Sequence, residues 1–145
     1  SRMLSATEGT SADNFRWRIQ TRWPHFWNIA VQHPWLGIGT EVDKSLGQAA
    51  NTPHNGYLAI AVKSGFPALV LLLSMVAMAL RDGMRGISRG GDPWWRMLAA
   101  VSCAGIIGML VHNIVDSVFL IPFTRDLLWL FVGLCVLAAR PPEPG

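Results

Sequence analysis

The chain has 145 residues, of which 51% are hydrophobic and 14% charged, and carries a formal net charge of +3. With a mean hydropathy above zero, this balance excludes an ordinary soluble globular domain and reads as a membrane protein. No nucleic-acid partner is expected.

Residues 1–12, rich in Ser, Thr and Gly, read as a flexible linker. Residues 13–56 read as an external loop with two short helices. Asp13 can cap the first, which runs through Arg22. Pro24 biases Trp23 toward extended backbone and then opens a second helix that ends at His33, ahead of another proline. Phe26, Trp27, Ile29, Ala30 and Val31 make this second helix apolar enough to lie in a membrane interface, where tryptophan is favoured. Leu36-Gly37-Ile38-Gly39 reads as a tight turn, and residues 41–51 as a polar loop.

Three apolar stretches follow, 57–80, 97–115 and 122–139, each near the roughly 20 residues that cross a hydrocarbon core. Lys63, Ser64, Gly65 and Pro67 interrupt the first near its start and predict a kink whose freed backbone groups are satisfied by neighbouring helices. Gly105 and Gly108 suit close helix approach in the second. Pro122 and Asp126 suit the start of the third. The expected fold class is therefore all-α, with three transmembrane helices preceded by an external loop carrying short interfacial helices. Cys103 and Cys135 lie in apolar runs without metal-ligand spacing.

Orientation follows from the cationic loops. Residues 81–96 carry Arg81, Arg85, Arg89 and Arg96 against Asp82 and Asp92, a net charge of +2, and should be cytoplasmic. Residues 113–126 carry Arg125 against Asp116 and Asp126, a net of −1, so that 116–121 becomes an external loop. Residues 140–145 become a cytoplasmic tail, and the leading segment faces the periplasmic or external side of a bacterial inner membrane. The chain reads as the C-terminal part of a longer polytopic protein, whose N-terminal helices would complete any lipid-binding cavity.

Arg16, Arg18 and Arg22 precede the second short helix. On a helix over 13–22, Arg18 and Arg22 share a face while Arg16 points elsewhere, and like charges at that spacing repel unless an anion sits between them. Guanidinium groups grip phosphate with two prongs, so a pyrophosphate suits this pair; anionic lipid headgroups or plain solvation suit it too. His54 stands at the mouth of the first apolar run, in Thr52-Pro53-His54-Asn55-Gly56-Tyr57-Leu58. The positive end of a helix starting near Asn55 favours neutral imidazole, a good general base near neutral pH; a structural or interfacial histidine is the other reading. Lys63, one or two turns further on, either faces the same cavity or pairs with an acid from another helix. His112, beside Asn113 and Asp116, is a binding candidate as an ionisable residue at membrane depth, with a structural hydrogen-bonding role as its alternative.

The run from Arg18 through Trp23, Ala30 and His33-Pro34-Trp35-Leu36-Gly37-Ile38-Gly39 to His54-Asn55-Gly56-Tyr57-Leu58, with Gly65 following, resembles the core of the O-antigen ligase and polymerase family. The later His112-Asn113 to Trp129 and Gly133 pattern is similar to that family's final helix pair, so the resemblance spans roughly residues 15–139. It implies an all-helical membrane glycosyltransferase that takes glycan from a polyprenyl-diphosphate donor on the external face and needs no nucleotide or metal cofactor. The acceptor would be a lipid A core sugar, another glycan or a protein hydroxyl. By the same resemblance Arg18 would bind the donor diphosphate and His54 would deprotonate the acceptor. Arg16, Arg22, Lys63, Asn55 and His112 are the further substrate-binding candidates. A different class, a non-enzymatic transporter module whose arginines and His54 line an anion pathway, would need polar groups continuing toward the bilayer midplane. Beyond Lys63 the first apolar run offers only Ser64 and Ser74.

Overall fold

The computed structural model describes residues 15–39, 53–88 and 92–139, and its elements there are all helical, with no strand among the described residues. A π-helical turn, Arg18–Arg22, runs directly into α1, Trp23–Gln32. Then follow α2, Gly56–Ser88, and α3, Pro93–Val115. A short 3-10 turn, Val118–Leu120, leads into α4, Pro122–Ala138. The linker 1–12, Asp13 with its expected cap, the polar loop 41–51 and the tail 140–145 lie outside the described residues.

The two short helices expected on either side of Pro24 are one continuous segment, because Trp23 is helical (φ −61°, ψ −44°) rather than extended. The π-turn explains the difference. Trp23 N–H reaches back five residues to the Arg18 carbonyl, and this wider turn relieves the collision that a proline ring makes with the carbonyl four residues before it.

α2 breaks where the sequence predicts a kink, at Gly65, whose backbone leaves helical space (φ 82°, ψ 169°). Its two arms cannot be collinear: a straight helix would hold Gly56 and Gly83 about 40 Å apart. Yet Gly56 packs against Asn113 and Gly83 against Cys103, positions only about 15 Å apart along α3. The arms 56–64 and 66–88 therefore meet at a sharp angle. The backbone groups freed at the break are satisfied by the turn after α1, not by a neighbouring helix. Ile38 and Gly39 N–H donate to the Val62 and Lys63 carbonyls at 2.8 and 3.0 Å, and Phe66 N–H donates to the Pro34 carbonyl at 2.8 Å. Gly37 makes this approach possible: its φ is 64°, and a Cβ there would meet the Lys63 carbonyl carbon at 2.5 Å. Pro67 falls in the first turn of the second arm, where a missing N–H costs nothing.

α2 and α3 are long and apolar enough to cross a membrane. α4 has 17 residues, about 25 Å, which falls short of the roughly 30 Å hydrocarbon core. Most of 81–96, expected as a loop, is helical, since α2 continues to Ser88 and α3 begins at Pro93. Hydropathy marks where a helix leaves hydrocarbon, whereas local hydrogen bonding decides where it ends. Asp82 pairs with Arg85 at 3.3 Å in the last turns of α2, Asp92 caps α3 by accepting Trp94 N–H at 2.9 Å, and Arg96 Nε closes the end of α2 on the Ile87 carbonyl at 3.1 Å.

The main core joins Val76 and Ala79 of α2 to Cys103 and Ile106 of α3, Phe119, and Leu128 and Cys135 of α4. Small residues let these helices touch: Gly83 faces both cysteines, whose sulfurs are 3.7 Å apart, and Gly105 faces Phe131. Gly108, expected to do the same, has nothing within 4 Å of its missing side chain. A second cluster packs Phe26 and Ala30 of α1 on Ala61 and Val62, which leaves Trp27 and Val31 on the exposed side.

Candidate functional site

The residues around His54 are tied, one after another, to different parts of the fold. Trp23 Nε1 donates to the Pro53 carbonyl at 3.1 Å. Asn55 caps α2 by accepting Leu58 N–H at 3.0 Å, while its Nδ2 donates to the Ile114 carbonyl at 3.0 Å. Gly56 N–H donates to the Asp116 carbonyl at 3.2 Å, and Tyr57 OH to the Leu110 carbonyl at 2.7 Å. The last carbonyls of a helix lack intrahelical partners; here the C-terminal end of α3 receives donors from the start of α2. Between the Trp23 and Asn55 anchors, His54 is held at φ 48°. Left-handed backbone on a non-glycine residue costs about 1–3 kcal/mol and persists where its surroundings over-determine it.

His54 Nδ1 lies 3.5 Å from Asp116 Oδ1. Asp116 in turn accepts Ser117 N–H at 2.7 Å, and Arg18 Nη1 donates to the adjacent Val115 carbonyl at 3.3 Å. The Ser117 N–H holds the Asp116 carboxyl below its ordinary range; partial burial opposes this, and His54 and Arg18 reinforce it. Arg22 is buried, with its guanidinium 4.7 Å from the centre of the Trp17 ring. Burial and then the Arg18 charge lower its pKa, yet an arginine stays charged at any ordinary pH.

Arg18, His54 and Asn55 thus converge on the C-terminal end of α3, with Arg22 near Arg18. Arg16 is exposed, and no ion pair engages it among the described residues. Lys63 is half-buried near the Gly65 break and His112 is exposed; each lends only its backbone carbonyl, to Gly39 and to Asp116 N–H respectively. Neither side chain joins the cluster by a hydrogen bond or ion pair among the described residues. Asp116 is the residue that sequence reasoning passed over, since it read only as a companion of His112. Its signal was an acid at the end of an apolar run, and its partner His54 is too distant in sequence for spacing to link them. Asn113 was also missed as a packing residue: it is fully buried, accepts Phe119 N–H at 3.2 Å and fills the space that Gly56 leaves.

Beside the cluster opens a mostly apolar cavity of about 520 Å³, lined by Trp23, Trp27, Tyr57, Leu58 and Phe66 together with Asn55. No group of three or more His, Cys, Asp or Glu that could hold a metal ion occurs among the described residues. A family model described as O-antigen ligase matches residues 1–73, half of the chain. The chain belongs to the O-antigen ligase family. The family match takes in Arg18, Trp23, the turn through Gly39, His54 to Leu58 and the Gly65 break, the same residues that the fold ties together. Among curated proteins and solved structures nothing matches. As a member of the O-antigen ligase family with membrane-length helices, the chain is an O-antigen ligase-like membrane glycosyltransferase, with a lipid-linked glycan and an acceptor as its general partners.

Proposed function

We propose that the protein transfers or polymerises glycan from a polyprenyl-diphosphate donor onto a sugar or protein hydroxyl at the periplasmic face of a bacterial inner membrane. His54 is the general base and Arg18 the principal diphosphate ligand. The observation that carries this reading is that Arg18 and His54, from separate segments, both approach Asp116 at the end of α3, next to an apolar cavity that includes Asn55.

In this reading the acceptor hydroxyl gives its proton to His54 as its oxygen attacks the anomeric carbon, and the bond from that carbon to the diphosphate oxygen breaks. The departing polyprenyl diphosphate carries the developing charge, which Arg18 meets with Arg22 behind it. The apolar cavity suits the first isoprene units of the lipid. Asn55 serves the site by fixing the His54 loop; Arg16, Lys63 and His112 have no step. α4, whose 17 residues stand at the short end of the spanning range, is read as the third span, and the arginines of 81–96 keep that connection in the cytoplasm, which leaves His54 outside.

The test is transfer from a polyprenyl-diphosphate glycan in membranes that lack any other such transferase, with His54→Ala and Arg18→Ala made separately in the full chain. Losses of roughly 10²- to 10⁴-fold are expected for His54→Ala, at unchanged protein level. Transfer retained by His54→Ala removes the mechanism. Transfer retained by Arg18→Ala alone moves diphosphate binding to Arg22 or Arg16.

A further inference from the structure

We propose that the outward side of α2 holds an anionic phospholipid of the cytoplasmic leaflet, its phosphate between Arg81 and Arg85 and its acyl chains along the apolar stripe that leads to them. The inference takes its leaflet from the orientation proposed above and nothing from the transfer chemistry. In the long arm of α2, which is apolar enough to cross a membrane, Val76, Ala79 and Gly83 are buried against the other helices. The opposite side is bare among the described residues. Val70, Leu71, Met78 and Met84 are each more than half exposed, and Ser74 and Ala77 between them are exposed too. Leu71, Ser74, Met78, Arg81, Arg85 and Ser88 follow one another at spacings of three and four, so one face of the helix carries apolar contacts first and guanidinium groups last.

Arg81 is exposed on this face and stands about 10 Å before the end of α2 at Ser88. The helix dipole does not account for it, because that field favours cations only in the last turn. Nor does an acid. Asp82 is engaged by Arg85 Nη1 at 3.3 Å, and no ion pair or hydrogen bond engages the Arg81 side chain among the described residues. A guanidinium on a lipid-facing side is costly in hydrocarbon, so its long stem carries the charge to the headgroup level. There it meets phosphate, whose oxygens match the planar fork of an arginine. Arg85, one turn further on and partly exposed, shares the face and supplies a second cation, with Asp82 holding its guanidinium in place. Two cations side by side select a headgroup that is negative overall, since a zwitterionic one would add an ammonium beside them. A protein helix packed here would have to bring a carboxylate to a level where lipid phosphate already stands. Arg96 is different: its Nε donates to the Ile87 carbonyl, and Ile87 packs against the core rather than on this face.

The experiment titrates the full chain, in neutral detergent, with phosphatidylglycerol and with phosphatidylcholine of the same acyl chains, and reads bound lipid by native mass spectrometry. Phosphatidylglycerol should bind the more tightly. Arg81→Gln should weaken it by about fivefold, and Arg81→Gln with Arg85→Gln by roughly twentyfold to thirtyfold, from the usual contribution of one arginine at an anionic lipid surface. Phosphatidylcholine binding should stay as it was. Arg96→Gln removes the same charge from the same end of the helix pair and should bind phosphatidylglycerol as the unmodified chain does. Glycerophosphoglycerol, the headgroup without its chains, should not displace the lipid. Equal affinity for the two lipids, an equal loss in Arg96→Gln, or displacement by the headgroup alone overturns the proposal. Binding in detergent does not depend on which way the chain lies in the membrane, so its failure is separate from that of the orientation. Labelling of Ser88→Cys from outside intact spheroplasts would overturn the leaflet, and the transfer assay on His54→Ala decides the transferase reading by itself.

Discussion

His54 and its neighbours show how a single residue's place is set by hydrogen bonds from several elements at once. Gly56 has no room for a methyl group, since a Cβ would come within 2.0 Å of Asn113 Oδ1. Gly56→Ala should cost about 1–3 kcal/mol, the usual range for overpacking, and should abolish transfer by shifting His54. Thermal unfolding in detergent measured beside transfer checks both; a variant with the original melting temperature and activity would show that the arm can yield. Asp116 makes an acid-stability prediction whose sign is fixed by its pKa. Its folded value lies below the ordinary 3.8, so the stabilisation is complete above the unfolded value and is lost as pH falls through the folded one. Unfolding measured as the pH is lowered below about 4 should therefore steepen in the unmodified protein and flatten in Asp116→Asn.

At the scale of elements, the break in α2 and the turn after α1 form one device. Gly65→Ala would combine a positive φ with a Cβ 2.3 Å from the Trp35 carbonyl oxygen, and neither the backbone nor that oxygen has a flexible side chain to give way. A loss of at least about 2 kcal/mol is expected, from backbone strain together with overpacking, and Gly37→Ala should behave alike because it meets the other side of the same contact. Equal destabilisation by the two, with no further loss in the double variant, would mark a shared contact; independent additive losses would refute it. The kink was legible in the sequence because Gly65 and Pro67 are local breakers. Its sharpness was not, since the angle depends on which distant N–H groups meet Val62 and Lys63. The straight passage through Pro24 escaped sequence reading for a related reason: a proline's collision is avoidable when a single π-turn precedes it, and no residue pattern announces that turn.

For the molecule as a whole, the cationic connection between α2 and α3 and the site at the far end of α3 should lie on opposite sides of the membrane. With Cys103 and Cys135 replaced by alanine, Arg125→Cys should react with a membrane-impermeant maleimide in intact spheroplasts, and Ser88→Cys only after permeabilisation. The reverse pattern would put His54 in the cytoplasm and remove a periplasmic donor from consideration. Composition, the apolar runs and the short motifs around Trp23, Gly37 and His54 were enough to determine a helical membrane protein and its family, because hydropathy and local backbone chemistry are written residue by residue. Which polar groups stand together was decided only by the tertiary structure. Asp116 meets His54, and Arg18 meets the end of α3, because the sharp break in α2 lets the segments that precede it reach the end of α3, and contacts over that separation leave no periodicity or spacing in the sequence to be read.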